Sequence, residues 1–241
     1  FAVLIYFGVQ IYRQAPPIPQ RVVSSDGVVL CTGQDIRDGQ NVWQSMGGQE
    51  VGTIWGHGAY VAPDWTADYL HRQSVWLLDR FAQAAHGQPF AALDSGTQAM
   101  LKDRLLHETR PNTYNTSTSD LVISEDRAAA YQALSGYYAA LFGAATEFPE
   151  NIRAYADAGK DPVALRDAYA IPTSAIKDAD RQAKMNAFFF WATWATSTER
   201  PSVAADPTKG PVDAAVTYTN NWPAEALVGN HPSGAIIVWS A

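Results

Sequence analysis

A loop rich in glycine and aromatic residues is the part of the chain best suited to bind a ligand. It runs from Trp55 to Thr66 and reads WGHGAYVAPDWT. Gly56 and Gly58 allow a positive φ and a close approach of the backbone to another group. The carbonyl of Gly58 and the phenol of Tyr60 can then point to the same side of the loop. Because glycine costs conformational entropy where nothing approaches the backbone, we expect this loop to bind something.

The other chemically active side chains form no catalytic or metal-binding pattern. The histidines, which lack the spacing of a zinc site, are His57, His71, His86, His107 and His231. His57 differs from the rest because it lies in the glycine loop. The pairs Asp35/Asp38 and Asp64/Asp68 have helical spacing, but acids are common at helix N-termini, so we favour a structural role. The sequence has no nucleophile elbow, no phosphate-binding glycine loop and no dinucleotide motif.

Composition and charge narrow the class of protein. The 241 residues are 47% hydrophobic and 17% charged, which is typical of a globular chain with a sizeable core. The net charge of −7 argues against nucleic acid or an anionic membrane surface as the partner. Cys31 is the single cysteine of the sequence. It therefore excludes an internal disulfide and a Cys-x-x-Cys-His site for covalent haem.

The elements that must position the loop are mostly helices. Periodicity and turn residues predict helices over 35–46, 66–86, 93–109, 124–142 and 180–196, with short helices within 149–170. A hairpin is predicted for 21–23 and 28–31, and a possible strand for 121–123. Asp64 or Thr66 can cap the helix after the glycine loop. The aromatic run 188–194 covers more than one helix face, so we expect it to be buried.

The two ends of the chain are apolar. Residues 1–12 are too few to cross a bilayer, which takes about 20 residues, so we interpret 1–15 as the end of a truncated transmembrane helix. A signal-peptide core and a buried core helix are alternatives. The apolar stretch before Trp239 makes 234–241 the expected approach to a next transmembrane helix, although a final strand would look the same. The predicted extracytoplasmic domain, 16–233, lies between these two ends.

Several motifs resemble nitric oxide reductases. The run Thr53–Asp64 resembles the loop that follows the haem motif in the cytochrome c subunit of two-subunit nitric oxide reductases. The longer run from Val42 to Arg72 resembles the quinol-dependent nitric oxide reductases more closely, as do the runs 188–195 and 218–223. In that single-chain family a haem-free, cytochrome-c-like domain is fused ahead of the catalytic membrane domain. The resemblance implies a mainly α fold, with a cytochrome-c-like helical core without haem, a small β hairpin and a long irregular C-terminal segment.

The resemblance also locates the position of a lost haem. Gly48–Gly52 stand where the haem-bearing relatives have Cys-x-x-Cys-His, so covalent haem c is excluded at this site. We hypothesise that aromatic side chains fill the vacated haem pocket, since the chain has eight tryptophans. Without haem the domain cannot relay electrons, which agrees with a family that takes its electrons from quinol.

The same resemblance implies a calcium site in the glycine loop. By motif position Gly58 would offer its carbonyl and Tyr60 an oxygen ligand, and His57 would lie near haem propionates. Calcium takes about 6–8 oxygen ligands, so the other ligands would come from the membrane domain. The chain alone is then expected to bind no cofactor. A loop that docks on the membrane domain without metal is the alternative.

The resemblance finally implies the activity of the whole enzyme and its place in the cell. The enzyme would reduce two molecules of nitric oxide to nitrous oxide and water, with electrons from quinol, in the bacterial cytoplasmic membrane. It would carry haem b, haem b3, non-haem iron and calcium. This domain would lie on the periplasmic or extracellular side, cap its own C-terminal membrane catalytic domain, contain no catalytic residue and be inactive alone. The alternative is a membrane-tethered periplasmic module that binds a ligand or glycan, which exposed tryptophans would favour.

Overall fold

The computed structural model describes residues 1, 5–6, 8–9, 15–200 and 217–230. Within these ranges the predicted mainly α fold with a small β hairpin is confirmed. The α-helices are α1 (Gly33–Ser45), α2 (Trp65–His86), α3 (Ser95–Thr109), α4 (Glu125–Phe142), α5 (Glu150–Arg153), α6 (Pro162–Tyr169) and α7 (Ala179–Ser197). The strands are β1 (Arg21–Ser24), β2 (Val29–Thr32), β3 (Tyr114–Asn115) and β4 (Asp120–Ile123). Short 3₁₀ helices cover Gly48–Val51, Phe90–Ala92 and Asp157–Gly159.

The predicted membrane-facing ends, 1–15 and 234–241, lie largely outside the described residues. The domain limits of 16 and 233 therefore stay predictions. No helix in the described part of the chain combines the length and the apolar character needed to span a bilayer.

The four strands form one sheet in the order β2-β1-β4-β3. β1 and β2 are the predicted hairpin, and β3 pairs with β4 in antiparallel fashion. β1 also runs parallel to β4, where Arg21 lies opposite Asp120 and donates two hydrogen bonds to its carboxylate at 2.9 and 2.7 Å. This parallel pairing was not predicted, because it joins two segments that are far apart in the sequence.

Helix starts follow the polar residues that cap them. Thr32 and Asp35 form a reciprocal capping box, so α1 begins at Gly33, two residues before its predicted start. The Ser124 hydroxyl accepts a hydrogen bond from the Arg127 backbone N–H and starts α4.

The core is built around α7, which packs against α1, α2 and α4. The aromatic run 188–194 is buried along its whole length, as predicted. α1 approaches α7 most closely at Gly39, where a Cβ atom would lie only 1.9 Å from the Lys184 carbonyl oxygen. A second apolar cluster joins α2 and α3 and includes Phe81, Leu105 and Val228. Val228 belongs to the segment 217–230, which is irregular as predicted and is held to the helices by this contact.

Candidate docking and cation site

The glycine loop is closed at its base by contacts between Thr53, which lies just before it, and residues near its end. Thr53 and Asp64 form an isolated parallel bridge, and the Trp65 N–H donates to the Thr53 carbonyl at 2.8 Å. One oxygen of the Asp64 carboxylate, Oδ1, caps α2 by accepting from the Ala67 N–H at 2.9 Å. The other, Oδ2, accepts from the Thr53 hydroxyl at 2.7 Å and from the Gly56 N–H at 2.5 Å. Asp64, which is 2% exposed, is therefore both the helix cap and the clamp of the loop.

Both predicted carboxylate pairs have structural partners. Asp35 belongs to the capping box of α1, and Asp38 lies 3.4 Å from the Lys184 ammonium. Burial raises the pKa of the Asp64 carboxyl, while its hydrogen bonds act in the opposite direction. Asp68 forms an ion pair at 2.7 Å with Arg72, a cation that is itself buried. These contacts favour a structural role for all four carboxylates, as the sequence indicated.

The tip of the loop is ordered by backbone contacts. The Gly58 N–H donates to the Thr53 hydroxyl at 2.8 Å, and the Ala59 N–H donates to the Ala62 carbonyl at 2.8 Å. Gly58 has a φ of 85°, a conformation that L side chains rarely adopt. The turn leaves the Tyr60 side chain fully exposed, at 101% of its reference area. The tip, residues 57–60, is thus held by hydrogen bonds to the rest of the loop and leaves the Tyr60 side chain exposed to solvent.

His57 and Trp222 meet at the same tip. Their ring centroids lie 5.7 Å apart, and Trp222 is 49% exposed. The structure therefore brings together all three predicted site residues, His57, Gly58 and Tyr60, and adds Trp222. No local pattern in the sequence predicts Trp222 at this place. The only signal was the motif 218–223, which shares the family resemblance of the loop but says nothing about where it packs.

The segment that carries Trp222 is fastened by buried and half-buried polar contacts. The Asn230 side-chain amide donates to the Asn221 side-chain oxygen, Oδ1, at 2.5 Å and to the Thr196 backbone carbonyl at 3.2 Å. The His71 ring lies 2.7 Å from the Glu225 carboxylate, which ties the segment to α2. The Glu225 hydrogen bond raises the pKa of His71. Trp222 is therefore held beside the loop from two sides.

The position matched to the haem-ligating histidine has no room for a side chain. Gly52 has a φ of 104°, and a Cβ atom there would lie 2.3 Å from the Trp65 indole nitrogen. The Trp65 indole N–H donates to the Val51 carbonyl at 2.8 Å. The Trp65 ring is fully buried and stacks on Phe189, with centroids 5.9 Å apart and planes 9° apart. Phe142 packs against the same ring in an edge-on arrangement at 5.2 Å. Aromatic side chains thus fill the space next to Gly52.

The oxygen atoms at the tip could supply only some of the ligands of a cation. Within the described residues, no cluster of three or more histidine, cysteine or acidic side chains could hold a metal ion. The tip offers oxygen atoms, the Gly58 carbonyl and the Tyr60 side chain, which suit a hard cation such as calcium. Two oxygens are too few for calcium, which takes about 6–8, so a second structure would have to supply the rest.

A family model covers both parts of this site. The model of the cytochrome c-like domain of NorB, a nitric oxide reductase protein, matches residues 19–224. The chain belongs to this family. The match spans the glycine loop and continues through Trp222, so both halves of the tip lie inside the nitric oxide reductase domain. No curated protein matches the chain.

Membership of the NorB family indicates the general function of the chain. It is part of a nitric oxide reductase, a membrane-associated oxidoreductase. Two other histidines in the described part of the chain lie close to acidic side chains. His71 pairs with Glu225, and His107 lies 3.4 Å from Asp103 on the exposed face of α3. His231 lies outside the described residues.

Proposed function

We propose that this chain is the haem-free extracytoplasmic domain of a quinol-dependent nitric oxide reductase, and that it caps the membrane catalytic domain of the same chain. The packing of Trp65 against Gly52 carries the proposal. Because Trp65 occupies the space beside Gly52, a haem-ligating side chain does not fit at position 52. The sequence also lacks the two thioether cysteines. Electrons would then enter the membrane part of the enzyme from quinol.

The exposed tip supplies the proposed contact with the membrane domain. The Gly58 carbonyl and an oxygen of Tyr60 would be two ligands of a calcium ion, and the membrane domain would supply the others. When bound, this ion would provide a positive charge between the two domains. The Thr53 and Asp64 contacts hold the Gly58–Tyr60 turn in one conformation before docking, which lowers the entropy lost on binding. His57, supported by Trp222, is exposed at the same tip and would face the haem propionates.

The catalytic cofactors would lie outside these 241 residues. Haem b, haem b3 and the non-haem iron would belong to the membrane domain, where two nitric oxide molecules would be reduced to nitrous oxide and water. The present domain would then show no turnover alone. It would face the periplasmic or extracellular side of the bacterial cytoplasmic membrane.

The alternative, a tethered module that binds a ligand or glycan through tryptophans, has less support. Four of the tryptophans in the described ranges are buried: Trp43, Trp65, Trp191 and Trp194. Trp55 and Trp76 are partly buried against the core, which leaves Trp222 as the exposed one among the described residues. One exposed ring beside a histidine does not form the row of aromatic faces that a glycan groove needs.

Electron-donor specificity of the full-length enzyme tests the proposal. We expect nitric oxide reduction with a reduced quinol analogue, no reduction with reduced cytochrome c, and a haem spectrum that contains b-type haem alone. Activity that depends on cytochrome c, or covalently bound haem in the purified chain, would contradict it.

The side of the membrane can be tested separately at an exposed residue away from the tip. In spheroplasts we expect a Val163→Cys variant to react with a membrane-impermeant maleimide. The parent protein provides the control for this domain, because Cys31 is buried, which raises the pKa of its thiol to about 12. Labelling of Val163→Cys only after lysis would place the domain in the cytoplasm and refute the proposed side.

A further inference from the structure

A cavity of about 520 Å³ lies between the end of α1 and the loop that precedes α7. Its volume falls within the range of roughly 300–1,000 Å³ that is typical of small-molecule sites. Apolar side chains form much of its wall: Met46, Val51, Phe142, Ile171 and Ile176. The cavity is separate from the tip at Gly58–Tyr60, and nothing in the proposed function uses it.

The cavity is formed before any ligand arrives. The loop 171–178 is pinned to the end of α4 by two backbone hydrogen bonds, from the Ser174 N–H to the Gly143 carbonyl at 2.8 Å and from the Ile176 N–H to the Phe142 carbonyl at 2.9 Å. The Gln182 side chain donates to the Ile176 carbonyl at 2.8 Å. A loop that is fixed in this way loses little further conformational entropy when a ligand binds.

Two residues in this loop or directly before it have an unfavourable backbone conformation. Ala170 has a φ of 54° and Ser174 a φ of 57°, although neither is glycine. Residues other than glycine rarely adopt this region of φ and ψ, and those that do cluster at functional sites, including ligand-binding sites. Ser174 lines the cavity, so the strain lies in its wall.

The rim of the cavity carries a local excess of positive charge. Lys177 and Arg181 both line it, and within the described ranges neither forms an ion pair. The Arg181 guanidinium donates to the hydroxyl of Ser45, another residue of the cavity lining, at 2.9 Å. The third charged residue of the rim, Asp178, is engaged as the cap of α7, because its carboxylate accepts from the Arg181 backbone N–H at 2.9 Å. The protein as a whole has a net charge of −7, so this positive rim is a departure from its general surface.

From this combination we infer that the cavity binds an amphipathic monocarboxylate. The hydrocarbon part would lie against Met46, Val51 and Ile176, and the carboxylate would pair with Arg181 and Lys177. An apolar wall alone would accept any hydrocarbon chain, whereas the two cations favour an acid over an alcohol or an amine of the same length. The chemical class of the ligand is therefore a medium-chain fatty acid or a molecule with the same head and tail.

Photolabelling of the full-length protein in lipid nanodiscs tests the inference. The probe is decanoic acid with a diazirine in its chain, and the labelled peptides are identified by mass spectrometry. We expect labels on the peptides that contain residues 45–51 and 171–181, and we expect unlabelled decanoate to compete for them. The corresponding diazirine alkylamine and alcohol should label these peptides much less.

Two variants distinguish specific binding in the cavity from unspecific partition of the probe into lipid. The double variant Lys177→Gln/Arg181→Gln should reduce labelling of the cavity by about three- to tenfold, since it removes two exposed ion pairs with the carboxylate, each of modest strength. Ala175→Trp, a substitution in the cavity wall, should abolish it. Lys160→Gln removes an exposed lysine that does not line the cavity and should leave labelling unchanged. Circular dichroism of each variant checks that the fold is intact.

Specific outcomes would overturn the inference. These are labelling spread over lipid-facing peptides alone, equal labelling by the amine and the acid, and labelling that survives both variants. Because the assay measures occupancy of the cavity and not nitric oxide reduction, its result is independent of the proposed function.

Discussion

Replacing Asp64 with asparagine removes the acceptor that holds the tip of the glycine loop. In the native chain Oδ1 caps α2 and Oδ2 accepts from the Thr53 hydroxyl and the Gly56 N–H. Asparagine caps helices about as well as aspartate, so the oxygen of the new amide can replace Oδ1. Its NH₂ group would then face the two donors of Thr53 and Gly56. If the amide turned the other way, the cap would lose its acceptor instead.

The expected cost follows from the two hydrogen bonds that are lost. A buried hydrogen bond to a charged group contributes about 1.5–3 kcal/mol. Part of this loss is offset, because a neutral amide costs less to bury than a charged carboxylate. The same cost of burial raises the pKa of Asp64. We therefore expect Asp64→Asn to lower the free energy of unfolding by about 2–4 kcal/mol. Thr53→Val removes one donor to Asp64 and also the acceptor of the Gly58 N–H, so it should cost about 1–3 kcal/mol, while Thr53→Ser keeps the hydroxyl and should cost under about 1 kcal/mol.

Urea unfolding of the chain gives these free energies, and hydrogen exchange of the Gly56 amide shows whether the loss is local. We expect exchange at Gly56 to become faster in Asp64→Asn than in Thr53→Ser. An Asp64→Asn variant that unfolds within about 0.5 kcal/mol of the parent, with unchanged exchange at Gly56, would refute the clamp.

Three further predictions concern the haem position, the C-terminal segment and the tip. Gly52→His should destabilise the chain by more than about 3 kcal/mol in urea unfolding, because the new side chain meets the Trp65 indole at a positive φ; a neutral effect would contradict the filled pocket. The His71–Glu225 pair should stabilise the fold below the unfolded pKa of histidine and lose this contribution as the pH rises through the raised pKa of His71. His71→Gln should flatten that part of the stability profile, and an unchanged profile would refute the linkage. Tyr60→Phe in the full-length enzyme should weaken calcium retention and slow electron transfer between haems, whereas unchanged metal content and turnover would count against Tyr60 as a ligand.

Local signals in the sequence predicted most of the helices. Ser124 and Asp64 are typical N-cap residues, and each lies directly before a helix in the structure. The aromatic run 188–194 predicted a buried helix because its large side chains cover several faces. These features depend on neighbours within one turn of the chain, which is why sequence reasoning reaches them.

The contacts between distant segments could not be predicted in the same way. The parallel pairing of β1 with β4 brings Arg21 to Asp120, and no local pattern in either strand specifies the other. The contact of His57 with Trp222 depends on the path of an irregular segment that is fixed by Asn230 and Glu225. Sequence reasoning identified the glycine loop as the candidate site but missed its second half for this reason.

The position of the lost haem was predicted in part from the sequence and in part required the structure. The missing Cys-x-x-Cys-His motif can be read from Gly48–Gly52 directly. That an aromatic residue fills the space was a hypothesis, and the structure identifies Trp65 as the residue that packs against Gly52. The choice among eight tryptophans required the three-dimensional packing, since Trp65 reaches this place from the start of α2.

Site-specific crosslinking of the tip tests the central claim most directly. The photoreactive residue p-benzoylphenylalanine is placed at Tyr60 in the full-length enzyme, and at the exposed Val163 on α6 as a matched control. If this domain docks on the membrane catalytic domain through its glycine loop, irradiation should give an intramolecular crosslink from position 60 to the membrane domain and none from position 163. A probe at position 60 that gives no crosslink to the membrane domain, while the probe at position 163 does, would contradict the account.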